Sequence, residues 1–139
     1  MTLAELIVAL FAWLSLNSPY DPSLARPPMI SFVPREAVCA IGNYPKKLCK
    51  NKNMGIVAVH DGKIAIFFRY EISNPDNPRF QSTLLHELVH HLQASQAPKM
   101  SFACREVEAY RLEEKFQKEY GIPGDSDPML LMQLKAECG

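Results

Sequence analysis

The stretch STLLHELVHHLQ, residues 82–93, contains an H-E-x-x-H motif made of His86, Glu87 and His90. On an α-helix, side chains four residues apart project from the same face, so two imidazoles at this spacing can bind one metal ion. The glutamate between them can then reach a water molecule at the metal. The motif therefore predicts a zinc site with Glu87 as the general base. The alternative is a buried helix whose two histidines are only hydrogen-bonded.

The residues around the motif predict a long amphipathic helix. Asn77 is a suitable N-cap, Pro78 suits the first helical position, and Pro98 ends the pattern. We therefore predict a helix from about Pro78 to Ala97, with its metal ligands at the border of the core. Five aliphatic residues recur at helical period on the face next to the histidines: Leu84, Leu85, Leu88, Val89 and Leu92.

A catalytic zinc ion usually has three protein ligands and one water molecule, so the two histidines require a further ligand. The residues after His90 do not continue the motif in the metzincin pattern. The next helix is predicted from about Phe102 to Tyr120, with Ser101 as its cap and Gly121 as its stop. That helix carries four candidate carboxylates: Glu106, Glu108, Glu113 and Glu114.

Helical steps of about 100° per residue separate these candidates. Glu106 falls in the middle of an apolar face, Glu113 shares that face two turns later, and Glu108 falls on a solvated face. A carboxylate on an apolar face is costly unless it is paired or bound to a metal ion. We therefore predict Glu106 as the third ligand and keep Glu113 and Glu108 as alternatives. Pairing of Glu106 with Arg35 or Arg69 would explain its position without a metal.

Three further polar residues lie close to the predicted ligands. Tyr110, one turn after Glu106, can donate a hydrogen bond to an imidazole or to a substrate oxygen, or it can be a core tyrosine. Gln93 lies near the histidine face and can orient a ligand. His91 lies beside the aliphatic face, where we expect it to pack or to support the ligands.

The motif H-E-L-V-H-H-L-Q followed by E-x-x-A-Y, here residues 106–110, resembles the gluzincin-type zincins. It is most similar to small, poorly characterised bacterial metallopeptidase-like domains. The resemblance covers residues 64–120 and implies zinc bound by His86, His90 and Glu106, with Glu87 as general base. It also implies a minimal zincin-like α+β fold, in which a small antiparallel or mixed sheet packs on the motif helix and on a second ligand-bearing helix. Residues 64–68 would be the edge strand that holds an extended substrate.

Local signals predict the other elements of one domain spanning residues 1–139. A capping box at Thr2 and Glu5 begins a helix that we interpret as a core helix rather than a processed signal. Residues 29–33 read as a strand, and residues 55–70 as a hairpin turning at Asp61-Gly62. A final short helix begins at Asp127-Pro128.

Composition predicts a globular chain and limits its partners. Of its 139 residues, 47% are hydrophobic and 22% are charged, and the net charge is zero. This balance argues against disorder and against nucleic acid or acidic lipid as a partner. The apolar N-terminal run is too short to span a bilayer. The lysines between residues 46 and 52 are expected in a solvated loop.

The cysteines leave their own state open. Cys39, Cys49, Cys104 and Cys138 can form local disulfides within the pairs 39–49 and 104–138, or remain free thiols in a cytoplasmic protein. A cytoplasmic location is slightly favoured over a periplasmic or secreted one.

Three functions are compatible with these features. The first is a zinc metallopeptidase that hydrolyses a peptide or protein substrate. The second is a non-catalytic, zinc-stabilised regulatory or partner-binding domain with a peptidase-like fold. The third is a metal-free helical domain in which the histidines are incidental. Substrate, cleavage preference and oligomeric state are not encoded in any recognisable pattern.

Overall fold

The structure, a computed structural model, describes residues 1–50, 58–61, 65–70, 73–124 and 126–139, with side chains for all of these except Leu48 and residues 58–61. The described residues contain six α-helices, one short 3₁₀ helix and three β-strands, so the α+β class is confirmed. In chain order these are α1 (Leu3–Asn17), the 3₁₀ helix (Pro22–Leu24), β1 (Met29–Val33), α2 (Arg35–Ile41), α3 (Lys46–Cys49), β2 (Ala58–Asp61), β3 (Ala65–Arg69), α4 (Pro78–Gln96), α5 (Phe102–Tyr120) and α6 (Pro128–Cys138).

The chain divides into two compact units, each of which is described by itself. One consists of Met1–Ala25 with Pro75–Gly139 and contains α1, α4, α5 and α6; the other, Arg26–Asn74, contains the sheet with α2 and α3. The single domain over residues 1–139 and the packing of the sheet on the motif helix stay predictions. Within the described ranges, no helix is both long enough and apolar enough to cross a membrane.

Capping groups fix the ends of the two long helices, α4 and α5. The Asn77 side chain accepts a hydrogen bond from the backbone N–H of Arg79 at 2.9 Å, and Ser101 Oγ accepts one from Cys104 N–H at 3.2 Å. Helix α5 ends at Gly121, whose φ of 66° is a left-handed conformation that glycine adopts without strain. Both helices lie within one residue of their predicted limits because the capping residues alone mark these ends.

Helix α1 is a core helix, as predicted, and it begins with the expected capping box between Thr2 and Glu5. The Trp13 ring meets Phe116 of α5 edge-on with centroids 5.4 Å apart, and Trp13 Nε1 donates to Glu119 Oε2 at 2.6 Å. This contact attaches α1 to the helix that carries the third candidate ligand. The buried face of α1 consists of Leu6, Leu10, Trp13 and Leu14.

The sheet of the second unit is mixed, with strand order β1-β3-β2. Strand β3 pairs with β1 in parallel and with β2 in antiparallel register, so the predicted strand 29–33 and the predicted hairpin pairing are both present. The hairpin turn runs into residues 62–64, outside the described residues. The prediction that residues 64–68 form an edge strand is wrong, because β3 is the central strand and both of its sides are already paired.

All four cysteines are paired in disulfides. Cys39 bonds to Cys49 between α2 and α3, and Cys104 bonds to Cys138 between the start of α5 and the end of α6. These are the two local pairings that the sequence permits, and the structure favours them over free thiols. Residues 35–41, which had no clear pattern, form α2, and residues 46–49, expected in a loop, form the short helix α3.

Candidate metal centre

Two helices of the first unit bring three potential ligand atoms together. His86 and His90 lie one turn apart on α4, and Glu106 lies in the first half of α5. One nitrogen of each imidazole and one oxygen of Glu106 all lie within 4.8 Å of one another. His86 Nε2 is 3.6 Å from Glu106 Oε1, and His90 Nε2 contacts the same oxygen directly. The three atoms could therefore hold a metal ion.

The far side of the His86 ring is held by α5 as well. His86 Nδ1 lies 2.9 Å from Glu113 Oε1, and both side chains are almost completely buried. The other oxygen of Glu113 accepts a hydrogen bond from Gln117 Nε2 at 3.2 Å. Because a carboxylate only accepts hydrogen bonds, the proton of this contact is on His86 Nδ1.

The His90 ring is held by an amide on its own helix. His90 Nδ1 lies 2.8 Å from Gln93 Oε1, while Gln93 Nε2 donates to the Arg105 carbonyl at 3.1 Å and to Glu108 Oε1 at 3.0 Å. Both partners of Gln93 Nε2 are acceptors, so the amide can only be oriented with its oxygen toward His90. His90 Nδ1 is therefore also the protonated nitrogen of its ring.

These outer contacts determine what the inner atoms can do. With Nδ1 bonded outward on both rings, the Nε2 atoms of His86 and His90, 3.2 Å apart, are the nitrogens that can bind a metal ion once it replaces the protons shared with Glu106. A carboxylate oxygen lies against the same space. In a tetrahedral zinc site with bonds near 2.0–2.1 Å, neighbouring ligand atoms are about 3.3 Å apart. The distances from His86 Nε2 to His90 Nε2 and to Glu106 Oε1 are close to this spacing, whereas His90 Nε2 and Glu106 Oε1 are in direct contact and would have to separate to admit the ion.

The pKa values of His86 and Glu106 are both shifted by the contacts between them. Burial disfavours the charged form of His86, but hydrogen bonds to Glu106 and Glu113 outweigh burial and raise its pKa from 6.5 to about 10. Burial also disfavours the charged form of Glu106, yet hydrogen bonds with His86 and His90 lower its pKa to about 2. The two carboxylates therefore favour positive charge at the His86 ring.

The predicted catalytic residues lie next to these ligands. Glu87 is half-buried on α4, and its charge contributes to the raised pKa of His86. The ring of Tyr110 meets the His86 ring at a centroid distance of 4.5 Å and an interplanar angle of 64°. Tyr110 also packs at the edge of a small cluster that contains Val107 and Leu134. His91 is buried, as expected for a packing residue.

The structure separates the three candidate carboxylates by role. Glu106 is the one grouped with both imidazoles, whereas Glu113 supports His86 from behind. The prediction that Glu108 lies on a solvated face is wrong: it is half-buried and accepts hydrogen bonds from Tyr20 and Gln93. A helical wheel of α5 could not show this, because both partners come from elsewhere in the chain.

The buried face of α5 also differs from the predicted one. Steps of about 100° place Phe102 and Tyr120 on the apolar face around Glu106, but they are 74% and 58% exposed because they stand at the two ends of the helix. Two polar residues that sequence reasoning passed over, Tyr20 and Gln117, are buried and bonded to groups around the centre. No local signal marks Tyr20. Gln117 could have been found, since it follows Glu113 by one turn on the same face.

Comparison with known proteins identifies a family whose function is unknown. The chain belongs to a family described as a domain of unknown function (DUF6647), whose model matches residues 1–139. No curated protein and no solved structure matches the chain. The chemistry of the centre has therefore to be argued from its own residues.

Proposed function

We propose that this protein is a zinc-dependent metallopeptidase of a minimal zincin-like type, with His86, His90 and Glu106 as zinc ligands. The observation that carries the proposal is that the Nε2 atoms of His86 and His90 lie 3.2 Å apart beside the Glu106 carboxylate. Two histidines and one glutamate form the ligand set of many catalytic zinc sites, and they leave one position open. The same donor set also holds non-haem iron, but H-E-x-x-H spacing on a helix favours zinc.

Glu87 supplies the general base of the proposed reaction. When bound, zinc lowers the pKa of water at its open position toward about 7 and polarises a carbonyl oxygen. Glu87, one residue after His86 on α4, accepts the proton of the attacking water and delivers it to the leaving amine. Tyr110, against the His86 ring, donates a hydrogen bond to the carbonyl oxygen as it gains charge.

A substrate cannot bind as an added strand on β3, because that strand is paired on both sides. Strands β1 and β2 are the outer strands of the described sheet. The proposal does not depend on such pairing. It depends on a peptide carbonyl reaching the open side of the metal centre.

Glu87→Gln tests the proposal because it keeps the size of the side chain and removes its basicity. Zinc-loaded wild-type protein and the variant are incubated with unfolded protein and with a peptide library, and Glu114→Gln serves as a control, since Glu114 is a half-buried residue of α5 that bonds to Ser126. We expect hydrolysis by wild type and control, and none by Glu87→Gln at unchanged zinc content. Equal hydrolysis by Glu87→Gln would contradict its role. Zinc binding without hydrolysis by wild type would favour the non-catalytic domain instead.

A further inference from the structure

The Gln93 side chain joins the two ligand-bearing helices at the metal centre. It is completely buried, and all of its polar groups are used: Oε1 by His90, and Nε2 by the Arg105 carbonyl and by Glu108. Arg105 and Glu108 flank Glu106 on α5. One amide therefore connects the ring of a ligand on α4 to the residues on either side of the ligand on α5.

The orientation of this amide determines which nitrogen of His90 faces the metal. If the amide were reversed, its N–H would point to His90 Nδ1, which would then have to be the unprotonated nitrogen. The proton would move to Nε2 and occupy the lone pair that a metal ion needs. Glu108 and the Arg105 carbonyl prevent this reversal, because both only accept hydrogen bonds.

Glu108 is itself held by a residue from outside the two helices. The hydroxyl of Tyr20, between α1 and the 3₁₀ helix, donates to the same Oε1 atom that accepts from Gln93. Tyr20 is 7% exposed, so this contact is protected from solvent. Tyr20 thus fixes the position of the Glu108 oxygen, and Glu108 fixes the direction of the Gln93 amide.

We infer that Tyr20, Glu108 and Gln93 form a positioning chain that holds His90 as a metal ligand, with its Nδ1 protonated and its Nε2 directed at the metal site. The inference rests on the proposed metal site and names residues of that site that do not touch the metal. It explains why a glutamine with no exposed surface occupies the interior of α4, since a buried amide is costly unless every polar group is bonded.

Gln93→Met tests the chain, because methionine keeps the length of the side chain and removes both its acceptor and its donors. The matched control is Gln81→Met on the same helix, since the Gln81 amide donates to the Pro75 carbonyl at 2.8 Å and lies three turns before Gln93. Zinc affinity is measured by competition with a chromophoric chelator. We expect Gln93→Met to lower affinity roughly 10- to 100-fold, as is usual when support of a ligating histidine is lost, and Gln81→Met to leave it unchanged.

Exchanging the charge between residues 93 and 108 tests the hydrogen-bond direction itself. If Gln93 only filled space, the second substitution would not restore zinc binding. Gln93→Glu places a second acceptor against Glu108 and should weaken zinc binding. Glu108→Gln in the same chain places an amide NH₂ at the shared position, where one N–H donates to the new carboxylate and the other to the Tyr20 hydroxyl, which can also accept. We expect the double variant to bind zinc more tightly than Gln93→Glu alone, and to restore the wild-type visible spectrum of the cobalt-substituted protein.

The outcomes separate this inference from the proposed function, because metal binding is measured without hydrolysis. Wild-type affinity and spectrum in Gln93→Met, or a double variant no better than Gln93→Glu, would overturn the chain alone. Wild-type protein that binds neither zinc nor cobalt would overturn the metal site and the chain with it. If circular dichroism shows that Gln93→Met does not fold, the inference is tested instead by the double variant and by Tyr20→Phe. Tyr20→Phe should lower the zinc affinity less than Gln93→Glu does. Wild-type zinc affinity in both variants would contradict the inference.

Discussion

His86 Nδ1 lies 2.9 Å from Glu113 Oε1. Glu113 is on α5, seven residues after Glu106. The ring of His86 therefore lies between two carboxylates of α5, Glu106 at Nε2 and Glu113 at Nδ1. Glu113 was an alternative third ligand at the level of sequence. In the structure it holds the ring from behind instead, a contact that would raise the basicity of the nitrogen facing the proposed metal site.

Glu113→Gln should therefore weaken zinc binding roughly 10-fold or more, because a neutral amide supports the ligating ring less well than a carboxylate. In the wild type, the Gln117 amide donates to Glu113 Oε2, so the new amide of the variant would also face this donor. Zinc affinity by chelator competition is the measurement. The neighbouring Glu114→Gln, which alters a side chain bonded to Ser126, should bind zinc like the wild type. Equal affinities for all three proteins would show that Glu113 does not support His86.

The chelator-treated protein should lose stability as the pH rises above about 6.5. The folded-state pKa of His86 is raised to about 10, so its contribution is fully present below 6.5 and is lost as the pH rises through about 10. The pKa of Glu106 is lowered to about 2, so its contribution is present above 4.5 and is lost as the pH falls through about 2. Together the two groups contribute most between pH 4.5 and 6.5.

Melting temperatures by circular dichroism from about pH 5 to about pH 10 measure this dependence. His86→Gln removes the titrating imidazole, so the alkaline decline should be shallower in that variant. With zinc bound, a neutral imidazole is the ligand, and the decline should be absent in this range. An identical alkaline decline in wild type and His86→Gln would rule out His86 as its source.

Tyr110→Phe distinguishes a catalytic tyrosine from a packing tyrosine. Phenylalanine keeps the ring against His86, 4.5 Å away, and removes only the hydroxyl. If the hydroxyl stabilises the charged carbonyl oxygen, kcat should fall about 10²- to 10³-fold, with KM and zinc content little changed. A kcat within a factor of about two of the wild type would leave Tyr110 as a core residue.

The Cys104–Cys138 disulfide should stabilise the helix pair α5–α6. It closes a loop of sequence separation 34 and lies beside the contact of Leu134 with Ala103 and Val107. Replacing both cysteines with serine should lower the free energy of unfolding by about 2–4 kcal/mol, because the unfolded chain gains freedom. Urea titration of the oxidised wild type and the variant measures this difference. An unchanged free energy would mean that α6 is held by its apolar contacts alone.

The two disulfides also bear on the environment of the protein. Disulfides persist in oxidising compartments and are rare in the cytoplasm. We therefore expect an oxidising compartment, in place of the cytoplasmic location that the sequence slightly favoured. Thiol alkylation of the natural protein under denaturing, non-reducing conditions measures the state of the four cysteines. Labelling at all four would contradict this expectation.

The ligand-bearing helices could be predicted because their signals are local. The Asn77 cap, the Ser101 cap and Gly121 mark helix ends within a few residues, and i,i+4 spacing alone places the two histidines on one face. Glu106 could be singled out by helical geometry, since its inward direction depends only on the period of α5.

The remaining features depend on contacts between distant segments. The parallel pairing of β1 with β3 joins strands that no local pattern assigns to each other, so the central position of β3 was missed. Glu108 was placed on a solvated face because a wheel of one helix contains neither Tyr20 nor Gln93. The positioning chain follows from these long-range contacts and is visible only once the helices are packed.

Zinc analysis of the purified protein tests the central claim most directly. Wild type, Glu106→Ala and Glu114→Ala are loaded with zinc, passed through a desalting column and measured by atomic emission spectroscopy. We predict close to one zinc ion per chain for wild type and Glu114→Ala, and strongly reduced zinc for Glu106→Ala, because one of its three protein ligands is gone. Equal zinc in all three proteins, or none in the wild type, would contradict a metal centre formed by His86, His90 and Glu106.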